Sequence, residues 1–168
     1  NPPKVLIDRL KEILDEDNIH TYSTPKGELY FRKAAAQRMK NRFGVDLDPE
    51  TEIFSLVGSK EGIANLVRFI TTQKNEELEK DVIMIPDPCY ASYLQFIQCS
   101  GAKAYPMPLT AENDYKPDVE KIYNQIIKEG YKPENIKALF INYPNNPMGI
   151  STTKEYVKSV VDFCKKYD

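Results

Sequence analysis

Residues 57–62, Val-Gly-Ser-Lys-Glu-Gly, could hold an anion, and we call them the Gly58 turn. An apolar run precedes them and a helical pattern follows, so Gly58 allows a tight bend between the two. Ser59 and Lys60 would present backbone N–H groups at a helix N-terminus, a favourable place for a phosphate. The segment is neither a Walker A loop nor a Gly-x-Gly-x-x-Gly fingerprint, and a plain capping role for Ser59 is the alternative.

Residues 86–93, Pro-Asp-Pro-Cys-Tyr-Ala-Ser-Tyr, could hold a flat ligand, and we call them the Tyr90 turn. Two prolines restrict the backbone just after an apolar run. Tyr90 would then stand where a strand ends, and an aromatic ring there can stack on a planar group. The alternative is that Tyr90 and Tyr93 cover the start of their own helix.

Residues 142–149, Asn-Tyr-Pro-Asn-Asn-Pro-Met-Gly, form the third segment, the Asn146 turn. Asn145 and Asn146 stand between two prolines, an arrangement that restricts the loop on both sides. An amide held in one direction offers a donor and an acceptor, which suits a phenolate or carboxylate ligand.

Composition excludes several other kinds of chemistry. Among 168 residues, 23 Lys plus Arg stand against 25 Asp plus Glu, a formal net charge of −2, so no basic excess favours nucleic acid or an anionic membrane. The single histidine, His20, and the three cysteines, Cys89, Cys99 and Cys164, contain no metal or triad spacing. With neither a signal peptide nor an apolar run of about 20 residues, a soluble, cytoplasmic protein is expected.

Hydrophobic periodicity predicts the elements that position the three turns. Helices are predicted over 4–17 and 28–43, the second stopping at Gly44 in a left-handed cap. Apolar runs then alternate with helical patterns. Strands are predicted over 53–57, 82–85, 103–105 and 138–141. Helices are predicted over 63–70, 119–127 and 157–164, and a further helix runs through Tyr93, Phe96 and Ile97 and closes at Gly101.

This alternation predicts an α/β fold, a three-layer α/β/α arrangement around a mostly parallel sheet. Ligands of such sheets bind at the carboxyl ends of the strands, where the three turns fall. Residues 1–21 are expected to form a separate helical segment, belonging to a small domain or linker, and residues 22–168 part of a large domain. A doubly wound sheet of this kind has helices on both faces of its strands, and only about four strands are visible, so we expect a piece of a larger domain.

Together the motifs resemble the fold-type-I pyridoxal-phosphate enzymes, and within them the class I and II aminotransferases. The resemblance covers nearly the whole chain, with its motifs in a specific order. These motifs are Tyr22-x-x-x-x-Gly27-x-x-x-x-Arg32, Gly58-Ser59-Lys60-Glu61, Pro86-Asp87-Pro88-x-Tyr90 and Tyr143-Pro144-Asn145-Asn146-Pro147-x-Gly149. They look most like the branch that contains LL-diaminopimelate, aspartate and alanine aminotransferases. The resemblance therefore implies a partial large domain that binds pyridoxal 5′-phosphate.

The resemblance also implies a role for each turn. Gly58, Ser59 and the Lys60 backbone would hold the cofactor phosphate, and Tyr90 would stack on the pyridine ring. Asn146 would bond the 3-oxygen of the cofactor. The substrate would lie against Lys60, Tyr90 and Asn146.

Two further implications concern residues outside the turns. Tyr22 would reach the phosphate of the neighbouring subunit, so a homodimer with a shared site is implied. The lysine that anchors the cofactor should lie well downstream of Asn146, and Lys60 is not that lysine because it opens a helix beside the phosphate. We therefore expect no catalytic residue in this chain, which looks like an N-terminal-half fragment, inactive by itself. Met148 replaces the usual Thr or Ser, and the loop loses a hydroxyl that could brace it.

The implied activity of the parent protein is transfer of an amino group between an amino acid and a 2-oxo acid, by a ping-pong mechanism in amino-acid biosynthesis. Aspartate, alanine, glutamate and diaminopimelate all remain open as substrates. One alternative is another fold-type-I enzyme, a lyase related to aminocyclopropane carboxylate synthase. A second alternative is a non-catalytic α/β ligand-binding domain. A third is a regulator with a DNA-binding module before an aminotransferase-like domain, although the N-terminus shows no such basic module.

Overall fold

The structure is a computed structural model that describes residues 1–17 and 19–167. The chain divides into two compact units, Asn1–Val57 and Gly58–Asp168. The described residues of the first unit form two helices and the loops around them. The second contains a parallel sheet with helices on both faces.

Both helices predicted for the first unit are confirmed. Helix α1 spans Lys4–Ile13, ending before the predicted residue 17, and buries none of its side chains. Helix α2 spans Leu29–Phe43. Gly44 follows α2 with φ of 69°, and its N–H donates to the Lys40 carbonyl at 2.9 Å. The predicted left-handed cap is therefore present.

A buried arginine on α2 organises the loops of the first unit. Arg32 is only 5% exposed. Its Nε donates to the Gly27 carbonyl at 3.0 Å, and its Nη1 donates to the Pro49 carbonyl and, at 3.2 Å, to the Glu50 carboxylate. The planar guanidinium thus joins the loop before α2 to the segment after it, using several donors in fixed directions.

The strand predicted over residues 53–57 is wrong, since this run, all of it within the described chain, forms no strand. Strands require hydrogen bonds from a neighbouring strand, and the Ser55 N–H instead donates to the Lys26 carbonyl at 2.9 Å in a loop. Phe54 and Val57 are exposed, so burial of these side chains does not stabilise an extended conformation here.

Over its described residues, the second unit alternates helices and strands, with three additional single-turn 3-10 helices. Its main elements are α3 (Ser59–Ile70), β1 (Val82–Asp87), α4 (Ala91–Cys99), β2 (Lys103–Pro108), α5 (Val119–Lys128), β3 (Ile136–Leu139) and α6 (Lys154–Lys166). All of these elements were predicted, although β1 and β2 extend further and β3 begins and ends two residues earlier. Beyond β3, the Phe140 N–H still donates to the Met84 carbonyl at 2.8 Å before the chain leaves the sheet.

The described strands form a three-stranded parallel sheet in the order β2-β1-β3. Val82 of the central strand pairs with Lys103 on one side and Ile136 on the other. Alternate side chains of β1 fill two cores. Ile83 and Ile85 pack with α3 and α4, while Val82 and Met84 pack with α5 and α6. The three-layer α/β/α arrangement is therefore confirmed, because β1 is buried on both faces.

Asp81, just before β1, is a fully buried carboxylate. It accepts the Thr72 N–H at 2.6 Å and the Lys74 ammonium at 3.1 Å, and the Lys137 ammonium lies at 3.8 Å. Burial opposes ionisation of Asp81, but these donors outweigh it and lower its pKa. The carboxylate therefore ties the amino end of the central strand to the chain that leads into it.

Helix α6 packs one of its faces against the sheet. Val160 is buried, with Val157 and Phe163 partly buried, whereas Val161 and Cys164 are exposed.

Among the described residues, none of the helices combines the length and apolar composition needed to cross a bilayer. Over the same residues, no group of histidine, cysteine and acidic side chains could hold a metal ion.

Candidate functional site

The Gly58 turn places an uncapped helix N-terminus at the start of the second unit. Gly58 precedes α3, and no side chain in the described chain caps this end. Ser59 is the first helical residue, so the capping role considered for its side chain is wrong. The Glu61 N–H donates to the Gly58 carbonyl at 3.1 Å. The N–H groups of Ser59 and Lys60 thus stay open to an outside acceptor.

Neither the backbone nor the packing of the described chain explains the glycine at position 58. Its φ of −173° is extended backbone that any residue adopts. A Cβ built there would meet no heavy atom within 4 Å. A glycine that the chain itself does not need, next to open N–H groups, is explained if a ligand approaches the backbone closely at this point.

The Tyr90 turn follows β1 and leads into α4. Tyr90 is the residue before α4, and its carbonyl accepts the Tyr93 N–H at 2.9 Å. The rings of Tyr90 and Tyr93 meet edge to face at 5.7 Å, and Tyr93 meets Phe140 in the same way at 5.2 Å. Tyr93 and Phe140 pack against the core cluster between the sheet and α3–α4. Tyr93 therefore covers the helix start, and supports the half-buried ring of Tyr90 from its edge.

Lys60 brings the first two turns together. Its Nζ lies 5.6 Å from the centroid of the Tyr90 ring, within cation–π distance. The Ser92 hydroxyl and then the Lys60 ammonium lower the pKa of the Tyr90 phenol. By contrast, burial and then the Asp87 carboxylate raise the pKa of the Cys89 thiol, so this neighbour is not an activated nucleophile.

In the Asn146 turn, the two asparagines behave differently. Asn146 is exposed, and its side-chain amide makes no hydrogen bond with the described residues; its backbone N–H donates to Asn142 Oδ1 at 3.1 Å. Asn145 is 3% exposed. Its Nδ2 donates to the Pro88 carbonyl at 3.2 Å, and its Oδ1 accepts the Met148 N–H at 3.1 Å.

Further bonds hold the Asn146 turn in shape. The Asn145 N–H donates to the Ile150 carbonyl at 2.8 Å, and the Gly149 N–H donates to the Asn145 carbonyl at 2.6 Å. At the other end, the Tyr143 hydroxyl donates to the Tyr115 carbonyl at 2.6 Å. The brace expected to be lost with Met148 is supplied by Asn145. Sequence reasoning noted Asn145 but assigned it no contact, and it missed the Tyr143 bond.

The structure places five of the six predicted site residues, Gly58, Ser59, Lys60, Tyr90 and Asn146, in the second unit. Lys60 contacts Tyr90, and Asn145 joins the turn of Asn146 to that of Tyr90. The sixth, Tyr22, belongs to the first unit and is fully exposed there.

These turns together offer the donor set that a phosphorylated aromatic ligand needs. Open N–H groups of Ser59 and Lys60 suit a phosphate, the Tyr90 ring suits a flat ring, and the unused Asn146 amide suits an oxyanion on that ring. Pyridoxal 5′-phosphate carries all three features, so the residues present fit it.

The chain belongs to the class I and II aminotransferases. The model of this family, described as aminotransferase class I and II, matches residues 1–168. The family depends on pyridoxal 5′-phosphate, which confirms the cofactor implied by the sequence resemblance.

Relatives within the family are LL-diaminopimelate aminotransferases. The chain is 37% identical over 167 residues to that of Aquifex aeolicus and 36% identical over 166 residues to that of Halothermothrix orenii, with 99% of this chain covered in each case. It spans about 40% of the length of these relatives.

Solved structures agree in fold. The substrate-bound BacF structure from Bacillus subtilis matches 99% of this chain and 39% of that chain, at 30% identity and a TM-score of 0.85. A probable N-succinyldiaminopimelate aminotransferase from Thermus thermophilus matches 99% of this chain and 41% of that chain, at 27% identity and a TM-score of 0.81. The predicted fold and family resemblance are therefore confirmed.

Proposed function

We propose that the protein to which this chain belongs is an aminotransferase that uses pyridoxal 5′-phosphate. It moves an amino group from an amino acid to a 2-oxo acid in two half-reactions, and the donor leaves as a 2-oxo acid before the acceptor binds. The observation that carries this proposal is the convergence of an open helix N-terminus, an aromatic ring and an unused amide in one unit of a chain from this family.

The Gly58 turn binds the phosphate in this proposal. The N–H groups of Ser59 and Lys60 donate to phosphate oxygens, and the positive end of the α3 dipole favours the negative charge. Gly58 leaves the approach open because it has no Cβ. The bound cofactor supplies an electron-withdrawing ring, which makes the α-proton of an attached amino acid acidic.

Tyr90 and Asn146 bind the ring. The Tyr90 face stacks on the pyridine, and the Asn146 amide donates to the 3-oxygen. Lys60, Tyr90 and Asn146 also border the substrate, with Asn146 close to its carboxylate. These residues bind and orient, and no lysine of this chain is proposed as the covalent anchor, since Lys60 belongs beside the phosphate.

The remaining features of the proposal concern the assembly. Residues 1–21 belong to a small-domain or linker segment, and residues 22–168 to the cofactor-binding domain. Tyr22 reaches the phosphate of the neighbouring subunit in a homodimer, which its full exposure permits. A role in amino-acid biosynthesis is supported by the relatives named LL-diaminopimelate aminotransferases, and diaminopimelate is accordingly our first candidate donor. We also propose a cytoplasmic location.

The experiment uses the full-length gene product loaded with the cofactor. LL-diaminopimelate, aspartate and alanine are each offered with 2-oxoglutarate, and glutamate is measured as the product. An aminotransferase forms one glutamate for each donor consumed. Consumption of an amino acid without glutamate formation identifies a lyase, and binding without turnover identifies a non-catalytic protein; either result contradicts the proposal.

Asn146→Ala tests the site assignment, with Asn113→Ala as the matched control. Asn113 is the last residue of a single-turn 3-10 helix, outside the three turns, and its Nδ2 donates to the Pro108 carbonyl at 2.7 Å. Loss of one hydrogen bond to a charged oxygen predicts about tenfold or greater loss of kcat/KM for Asn146→Ala and no loss for Asn113→Ala. Equal activity of the two variants would contradict the role given to Asn146.

A further inference from the structure

The buried side-chain amide of Asn145 makes hydrogen bonds to backbone groups of two different turns. Its Nδ2 donates to the Pro88 carbonyl in the Tyr90 turn, and its Oδ1 accepts the Met148 N–H within its own turn. Pro88 is 57 residues away in sequence. This bond therefore fixes the position of one turn relative to the other, which local loop closure cannot do.

We propose that Asn145 is a positioning residue that sets the distance between the Asn146 amide and the Tyr90 ring. The inference rests on the proposed function, in which Asn146 and Tyr90 contact the same bound ring. Pro88 lies two residues before Tyr90, and Asn145 directly precedes Asn146. The hydrogen bond between Asn145 and Pro88 therefore links the backbone close to Asn146 with the backbone close to Tyr90.

The direction of Asn146 depends on the same amide. Backbone bonds to Ile150 and Gly149 close the loop at Asn145. The Asn145 Oδ1 bond to Met148 holds the chain that follows Asn146. Because the Asn146 amide makes no bond to the described residues, its position follows the backbone that carries it, and small shifts of a binding group cost affinity.

The chain offers a matched control in Asn135. This asparagine is 4% exposed, its Nδ2 donates to the Glu79 carbonyl at 3.0 Å, and its Oδ1 accepts the Lys132 N–H at 3.3 Å. It therefore joins two segments, 56 residues apart, in the same way as Asn145 but away from the three turns. Substitution of either asparagine leaves similar backbone groups without partners, so both variants should lose similar stability.

The test measures binding of two probes by calorimetry to the full-length protein from which bound cofactor has been removed. Pyridoxine 5′-phosphate carries the 3-oxygen but no aldehyde, so it cannot react with lysines, and its 3-deoxy analogue lacks the oxygen that Asn146 contacts. The affinity ratio of the two probes reports the Asn146 bond, and Asn146→Ala sets its floor. We expect the wild-type protein to prefer the 3-hydroxy probe by about tenfold, the value of one charge-assisted hydrogen bond.

Asn145→Ala should reduce this preference to the floor set by Asn146→Ala, while affinity for the 3-deoxy analogue changes by about twofold or less. Asn135→Ala should keep the full preference. Asn145→Asp retains an acceptor for the Met148 N–H but lacks the donor to Pro88, so it should resemble Asn145→Ala. It also decides the question if the alanine variant does not fold.

Three results would overturn the inference. Asn145→Ala could keep the preference, Asn145→Asp could restore it, or Asn135→Ala could abolish it as well, which would make the effect one of general stability. A wild-type protein that binds neither probe would instead refute the proposed function, and the inference with it.

Discussion

Gly27→Ala should destabilise the protein far more than the same substitution at Gly44. Both glycines have positive φ, 84° and 69°, so alanine at either site costs about 1–2 kcal/mol for the left-handed conformation. The surroundings differ. A Cβ on Gly44 meets nothing within 4 Å, whereas a Cβ on Gly27 would lie 2.1 Å from Ser55 Cβ and 2.8 Å from Ser55 Oγ.

Two carbon atoms in contact prefer about 3.5–4.0 Å, so the loop at Gly27 and the chain at Ser55 must separate by more than an ångström. That separation costs about 1–3 kcal/mol as overpacking. It also strains the Ser55 N–H bond to the Lys26 carbonyl, worth about 1 kcal/mol. Gly27→Ala should therefore lose about 3–6 kcal/mol of unfolding free energy, against about 1–2 kcal/mol for Gly44→Ala.

Equilibrium urea unfolding, followed by circular dichroism, measures both values. Adding Ser55→Gly to Gly27→Ala removes the clashing Cβ and Oγ and leaves Ser55 Cα at 3.4 Å, an ordinary contact. The double variant should recover the overpacking part of the loss. The reasoning is refuted if the two single variants lose the same free energy, or if Ser55→Gly restores nothing.

Other positions yield predictions of different kinds. Asp81→Ala should lose about 2–3 kcal/mol of unfolding free energy, the value of two charge-assisted hydrogen bonds, one of them to a partly exposed lysine. Since the folded pKa of Asp81 is lowered, its contribution is present above the unfolded pKa of about 4 and declines as the pH falls through the folded value; an acid titration of stability should lose this decline in Asp81→Asn. Gly58→Ala should change the unfolding free energy by less than about 0.5 kcal/mol but weaken pyridoxine 5′-phosphate binding in calorimetry about tenfold. The Tyr90 phenol should titrate below the ordinary pKa by absorbance, and Ser92→Ala should raise that pKa more than Lys60→Met does, with Tyr90→Phe identifying the signal.

The local sequence pattern was sufficient to predict an element wherever the residues it packs against lie close in the sequence. The Gly44 cap could be predicted because its requirement is a property of one backbone position. Strands β1 and β2 could be predicted because their apolar runs are buried against helices that follow directly. Residues 53–57 show the same apolar pattern, yet form a loop. A strand also needs a hydrogen-bonded neighbour, and hydrophobicity does not specify one.

The contacts within the site could be predicted less well than its residues. Asn145 and Asn146 are identical in type and adjacent, and pattern alone gives no reason to separate them. Tertiary structure does so by burying one beside the Pro88 carbonyl and leaving the other exposed. Arg32 is similar, since its spacing from Gly27 was visible but the hydrogen bond between them was not.

Positions whose residue type the chain's own contacts do not require are the ones most informative about a ligand. Gly27 is required by its positive φ and by Ser55, and Asn145 by two backbone groups. Gly58 has neither a positive φ nor a close neighbour that would require glycine, and the Asn146 amide has no partner among the described residues. A ligand outside the chain explains both unexplained residues at once, because it would place an anion over one and an oxygen beside the other. Substitutions there should therefore change ligand affinity and spare stability, whereas at Gly27 stability should be lost first.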